Sequence, residues 1–132
     1  MSIPRIFIKA IDHKNQRYET VGDWWFEKTI QDGECLQVRV SKMSDWRYEI
    51  CVVVHELVEC FACRHAKVTQ DQVDKFDKAF EACRANGNTD EPGDSPKAPY
   101  RFQHCIATGV ERVLAAVLGV YWSKYEAEIN SL

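Results

Sequence analysis

The chain reads as an α+β fold: a small, mostly antiparallel N-terminal sheet followed by three to four helices, in one domain spanning 1–132. Two observations point there. Short β-branched and aromatic runs separated by turn-forming residues fill the first forty positions. Long stretches with helical periodicity and recognisable end signals fill the rest. A chain of 132 residues is long enough for a real core, because this size buries roughly two-thirds of the unfolded surface.

The first strand is expected over Arg5–Ile11, which is short and β-branched. Residues 12–22 are polar and form a loop. A second strand follows over Asp23–Ile30, and Asp32-Gly33 is a hairpin turn signal. Leu36–Ser41 alternates cleanly, with Leu36, Val38 and Val40 on one face, as a half-buried strand at the sheet edge does. Ser44 is an N-cap residue, with Asp45 in the first turn of a helix running to His65. That helix is apolar nearly all round from Ile50 to Cys63, so it is expected at the centre of the fold. Thr69 to Gln72 is a capping box opening a helix that stops near Asn86-Gly87. Residues 86–99 form a polar loop with three prolines and two glycines, of a length that suggests a functional segment such as a lid. A third helix covers Tyr100–Gly119, and a capping box at Ser123–Glu126 opens a short terminal one. Trp24, Trp25 and Trp46 are expected in the core, with a cleft wall or an interface as the alternatives.

Seventeen basic against twenty acidic residues give no footprint for nucleic acid or a membrane surface. No apolar run approaches the roughly 20 residues of a membrane span, and no secretory pattern opens the chain. A cytoplasmic, reducing setting is therefore expected. The six cysteines, at 35, 51, 60, 63, 83 and 105, then read as thiols, mostly as small core residues.

The chemistry concentrates in VVVHELVEC, Val52–Cys60. Residues four apart share a helix face, so His55 and Glu59 can hold one cation, with Glu56 beside them. In the zinc-peptidase pattern His-Glu-x-x-His, two histidines bind zinc and the Glu is the general base for a metal-bound water. Here a carboxylate replaces the second histidine, which zinc accepts at a similar distance. The competing reading is a buried salt-bridge cluster. It lacks a local partner, since no Lys or Arg occurs from Glu49 to Cys63, and burying two carboxylates without a cation is costly.

A catalytic zinc commonly takes three protein ligands. His104 is the leading third candidate, because Thr108 and Glu111 follow it at helical spacing and form a polar ridge; Glu111 would then orient a ligand. His65 has a ligand-like spacing, but the helix lacks a Gly turn before it, which makes it an exposed helix-end residue. Asp77 and Glu81 read as a solvated acidic face, and His13 is unassigned. A Cys₄ site from Cys60, Cys63, Cys83 and Cys105 is a further alternative, weakened by a mid-helix Cys-x-x-Cys.

DHKNQRYETVGDW (12–24), DWRYEICVVVHELVE (45–59), VDKFDKAFE (73–81), EPGDSPKAPYRFQH (91–104) and ERVLAAVLGVYW (111–122) together resemble a family of small phage and prophage proteins regarded as zincin-like. The resemblance covers nearly the whole chain. It implies a zincin-like fold with the His-Glu-x-x-Glu helix central, a metal set of His55, Glu59 and His104, and Glu56 as the zincin-type general base. The expected function is a zinc-dependent metallohydrolase of peptide-like substrates, with the strand Leu36–Ser41 aligning an extended chain. The alternative is an inactive zincin-shaped binding or structural module with a protein partner. Oligomeric state is left open.

Overall fold

The computed structural model describes residues 2–132. Strands β1 (Arg5–Ile11), β2 (Gly22–Thr29) and β3 (Gly33–Ser41) precede helices α1 (Trp46–His65), α2 (Gln70–Ala82), α3 (Arg101–Val117) and α4 (Trp122–Ser131). The α+β class follows directly. The sheet order is β1-β3-β2. β2 and β3 form the expected hairpin, closed by Gly33 at φ 68°, a left-handed conformation glycine adopts without a Cβ clash. β1, however, pairs with β3 in parallel, Arg5 opposite Cys35 through Ile11 opposite Ser41. The sheet is therefore mixed, and β3 is its centre rather than its edge. Side-chain alternation correctly puts Leu36, Val38 and Val40 on the buried face. It says nothing about neighbours in the plane of the sheet, which backbone hydrogen bonds determine.

α1 lies across the sheet. Its Cys51, Val52, Val53, Cys60 and Cys63 pack with Trp24, Leu36, Val38 and Val40 in one apolar cluster. The N-cap of α1 is Asp45, whose carboxylate accepts from Arg47 N at 2.9 Å. Ser44 instead donates its N–H and hydroxyl to Glu128 of α4. The capping box at Thr69 forms as expected, but α2 stops at Ala82, ahead of the turn at Gly87 (φ 83°). Ser123 is already inside α4, which begins at Trp122, so no capping box forms there. Trp24 is buried and Trp25 half-buried, whereas Trp46 is 66% exposed at the first turn of α1.

The C-terminus of α1 closes with paired reverse hydrogen bonds, Lys67 N to Arg64 O and Val68 N to Cys63 O, at 3.1 and 2.9 Å. This motif needs a left-handed residue after the cap. Lys67 occupies it at φ 60°, although it carries a Cβ and its side chain is exposed. Lys67→Gly is expected to stabilise the protein by up to about 1 kcal/mol. Urea denaturation of both proteins checks this, and a loss of stability would show that Lys67 makes compensating contacts.

Candidate metal centre

His55 and Glu59 stand one turn apart on α1, and both are buried. α3 runs antiparallel alongside, since His55 meets Glu111 while Glu59 meets His104. Three ligand-type atoms converge between the helices. His55 Nε2 is 3.2 Å from Glu59 Oε2 and 3.2 Å from His104 Nδ1, and His104 Nδ1 is 2.9 Å from Glu59 Oε2. Zinc bonds of about 2.0–2.1 Å place neighbouring ligand atoms of a tetrahedral site roughly 3.3 Å apart. The triangle has that size. Its residues are the three sequence candidates.

Protons alone satisfy this triangle poorly. If both imidazoles donate to Glu59 Oε2, their N–H groups confront one another across the 3.2 Å edge. If one nitrogen accepts from the other, that nitrogen no longer donates to Glu59. A cation at the centre would satisfy all three lone pairs at once.

The surrounding groups orient each member. His55 Nδ1 lies 2.8 Å from Glu111 Oε2, which directs Nε2 into the triangle. Tyr125 OH donates to the other Glu111 oxygen. Trp24 Nε1 donates to Glu59 Oε1 at 3.1 Å and leaves Oε2 free for the centre. Behind His104, Glu91 Oε2 and Asp94 Oδ1 lie 2.9 and 3.3 Å from Nε2. Neither meets the directional requirement of a hydrogen bond, so this buried nitrogen is close to two carboxylates without a bonded partner. Gly93 makes the approach of their loop possible, because a Cβ there would lie 2.5 Å from His104 Nδ1.

The ionisation pattern follows. Burial pushes Glu59 up, but the His104 and His55 hydrogen bonds outweigh it and bring it down to about 2. Burial lowers the histidines; Glu59 and Glu91 outweigh it at His104, which rises to about 10, and Glu111 and Glu59 do so at His55, which rises well above its usual range. Glu56 behaves oppositely. Burial, then the Glu59 charge, raise it well above a normal carboxyl. It has no hydrogen-bond partner among the described residues, and it lines a cavity of about 260 Å³ together with His55, Glu59, His104 and Asp77. Gly22 of β2 fits against it only because it lacks a Cβ, which would come within 2.7 Å of both Glu56 Cδ and Val52 Cγ1.

The other candidates lie elsewhere. His65 is exposed at the end of α1. His13 bonds Ser41 Oγ and Glu19, both at 2.8 Å. Glu81 pairs with Arg84 at 2.6 Å. Cys60 and Cys63 are buried while Cys83 and Cys105 are exposed, and none joins a ligand group among the described residues. Asp77 departs from its expected solvated position. It is buried, accepting from Tyr18 OH at 3.0 Å and also from Tyr100 OH. Trp24 lines the cavity as well as the core; nothing in the sequence marks Tyr125, Glu91 or Asp94 individually as site residues. The one sequence signal for any of them was the length of the loop that carries Glu91 and Asp94.

No family model, curated protein or solved structure matches the chain, so the site is read from its geometry. Asp77 offers a separate test, made on metal-free protein. Burial, opposed by its two tyrosine bonds, raises it from 3.8 to about 7. Between those values the folded state holds a proton that the unfolded state has lost, so this residue's contribution to stability falls as pH rises from about 4 to 7. Asp77→Asn should flatten that part of the profile and gain on the wild type at pH 8 relative to pH 4. Denaturant melts at the two pH values check it; an equal loss at both would mean that folding leaves Asp77 unshifted, and a larger loss at pH 8 that the charged form is the one the fold prefers.

Proposed function

We propose that this chain is a zinc-dependent hydrolase of peptide or amide bonds, zincin-like in its use of one helix for both metal and base. His55, Glu59 and His104 would hold the cation, and Glu56 would act as general base. The observation that carries this is the buried triangle whose three atoms are spaced for a tetrahedral cation and cannot all be hydrogen-bonded to one another. The same assignment is what the zincin-like resemblance of the sequence would imply.

When bound, zinc acidifies a coordinated water and polarises a carbonyl. Glu56 faces the cavity without a fixed partner and would be the general base, taking a proton from water and returning it to the departing amine; it must be ionised to do so, and the charge of a bound cation would offset the Glu59 charge that raises it. Glu111 and Trp24 keep His55 Nε2 and Glu59 Oε2 aimed inward. Strand addition to β3 is ruled out by its two paired neighbours. The edge strand next to the cavity is β2, whose Gly22, Asp23 and Trp24 line the wall, so an extended substrate would align there. The loop carrying Glu91 and Gly93 forms another wall.

A second reading, a metal-free binding module, is favoured by one observation: Glu59 lies within ion-pair distance of both His55 and His104, at 3.2 and 2.9 Å. Metal analysis separates the two. Purified protein should carry about one zinc per chain, with Glu59→Ala and His104→Ala each reducing it at least tenfold. Glu56→Gln should keep the zinc and lose peptide hydrolysis by at least a hundredfold. Zinc retained in both ligand variants would remove the site as drawn. Protein that carries no zinc as purified, and whose melting temperature does not rise when zinc is added, would favour the module.

A further inference from the structure

α3 has two faces. His104, Ala107, Glu111 and Ala115 point inward and are buried. The outward face carries Phe102, Ile106, Val110, Val113 and Val117, exposed by 71, 47, 40, 65 and 76%. Ten residues of this helix are exposed, and only Arg101 and Arg112 among them are charged. A surface helix ordinarily turns polar side chains to water. A contiguous apolar stripe along a whole helix marks a contact surface.

The stripe is self-complementary. Phe102 and Val117 lie equally far from the midpoint between Gly109 and Val110, and so do Ile106 and Val113. An antiparallel copy of α3 centred on that midpoint would therefore set Phe102 against Val117, Ile106 against Val113, and Gly109 against Val110, each pair occurring twice. Reciprocal pairing of this kind is what a two-fold interface requires. Gly109, beside the midpoint, is exposed, and a Cβ there would meet nothing within 4 Å, which leaves room for side chains of a second copy. The five large side chains expose on the order of 600 Å² per copy, most of the ~800 Å² per partner of a standard interface.

We infer that the outer face of α3 is a homodimer interface, two copies packing antiparallel about Gly109 and Val110. Since His104 and Glu111 lie on the opposite face of the same helix, pairing would brace the element that carries them without covering the cavity. The inference stands whether or not the centre binds metal.

Sedimentation analysis of the full chain over about 1–100 μM is the test. The wild type should run at twice 15.3 kDa. Ile106→Glu and Val113→Glu should each run as monomers with an unchanged far-ultraviolet circular dichroism spectrum, because both side chains are exposed in the single chain. Register is tested in a Cys83→Ser, Cys105→Ser background, the other cysteines being buried. There a short bis-maleimide should join Gly109→Cys to itself, and Phe102→Cys only to Val117→Cys. A monomer at every concentration would overturn the inference. So would Phe102→Cys joining itself, which needs parallel helices. Monomeric protein that floats with phosphatidylcholine–phosphatidylglycerol vesicles, and loses this in Val113→Glu, would assign the face to a lipid surface and overturn it too.

Discussion

The atom on which this structure depends most is Oε2 of Glu59. Two imidazole nitrogens face it from two helices, at 2.9 and 3.2 Å, and face each other at 3.2 Å. Water is largely excluded, so an arrangement that leaves one of these polar atoms unsatisfied costs on the order of 1–3 kcal/mol. The helices cannot separate to relieve it, because α1 is packed into the apolar cluster beneath the sheet. The rest of the architecture serves this convergence. β2 brings Trp24 to the free oxygen of Glu59, α4 brings Tyr125 to Glu111, and the loop before α3 brings Gly93 against the ring of His104.

Two kinds of carboxyl group thus share one cavity. Glu59 is held ionised by its histidines, while neighbouring Glu56, raised by burial first and then by that charge, is pushed toward its neutral form. Environments that drive adjacent acids apart are typical of sites where one group binds and another moves protons. Asp77 adds a third case, a carboxyl raised by burial yet held by two tyrosines. It fastens α2 to the segments bearing Tyr18 and Tyr100, and so shapes the far wall of the cavity.

Much of this was legible in the sequence. The alternation at Leu36, Val38 and Val40 marks a buried strand face, and the polar island at His55, Glu56 and Glu59 stands out against an apolar helix. His104 shows through the ridge it makes with Thr108 and Glu111. What was hidden depends on contacts between distant segments. The parallel pairing of β1 with β3 is invisible to side-chain periodicity. Asp77 sits in an acidic amphipathic helix, and nothing local says that tyrosines 59 and 23 residues away will bury it. Ser44 and Ser123 have the residue types of helix caps, but the helices start at Trp46 and Trp122, and Ser44 is bound instead by Glu128 of the last helix.

α3 joins the two conclusions, with a polar inner ridge that completes the centre and an apolar outer stripe that fits its own copy. The most direct measurement is X-ray absorption at the zinc edge of the zinc-loaded protein. The account predicts only nitrogen and oxygen neighbours at about 2.0–2.1 Å, with multiple scattering from two imidazole rings. Sulfur at about 2.3 Å, or zinc without imidazole scattering, would contradict it.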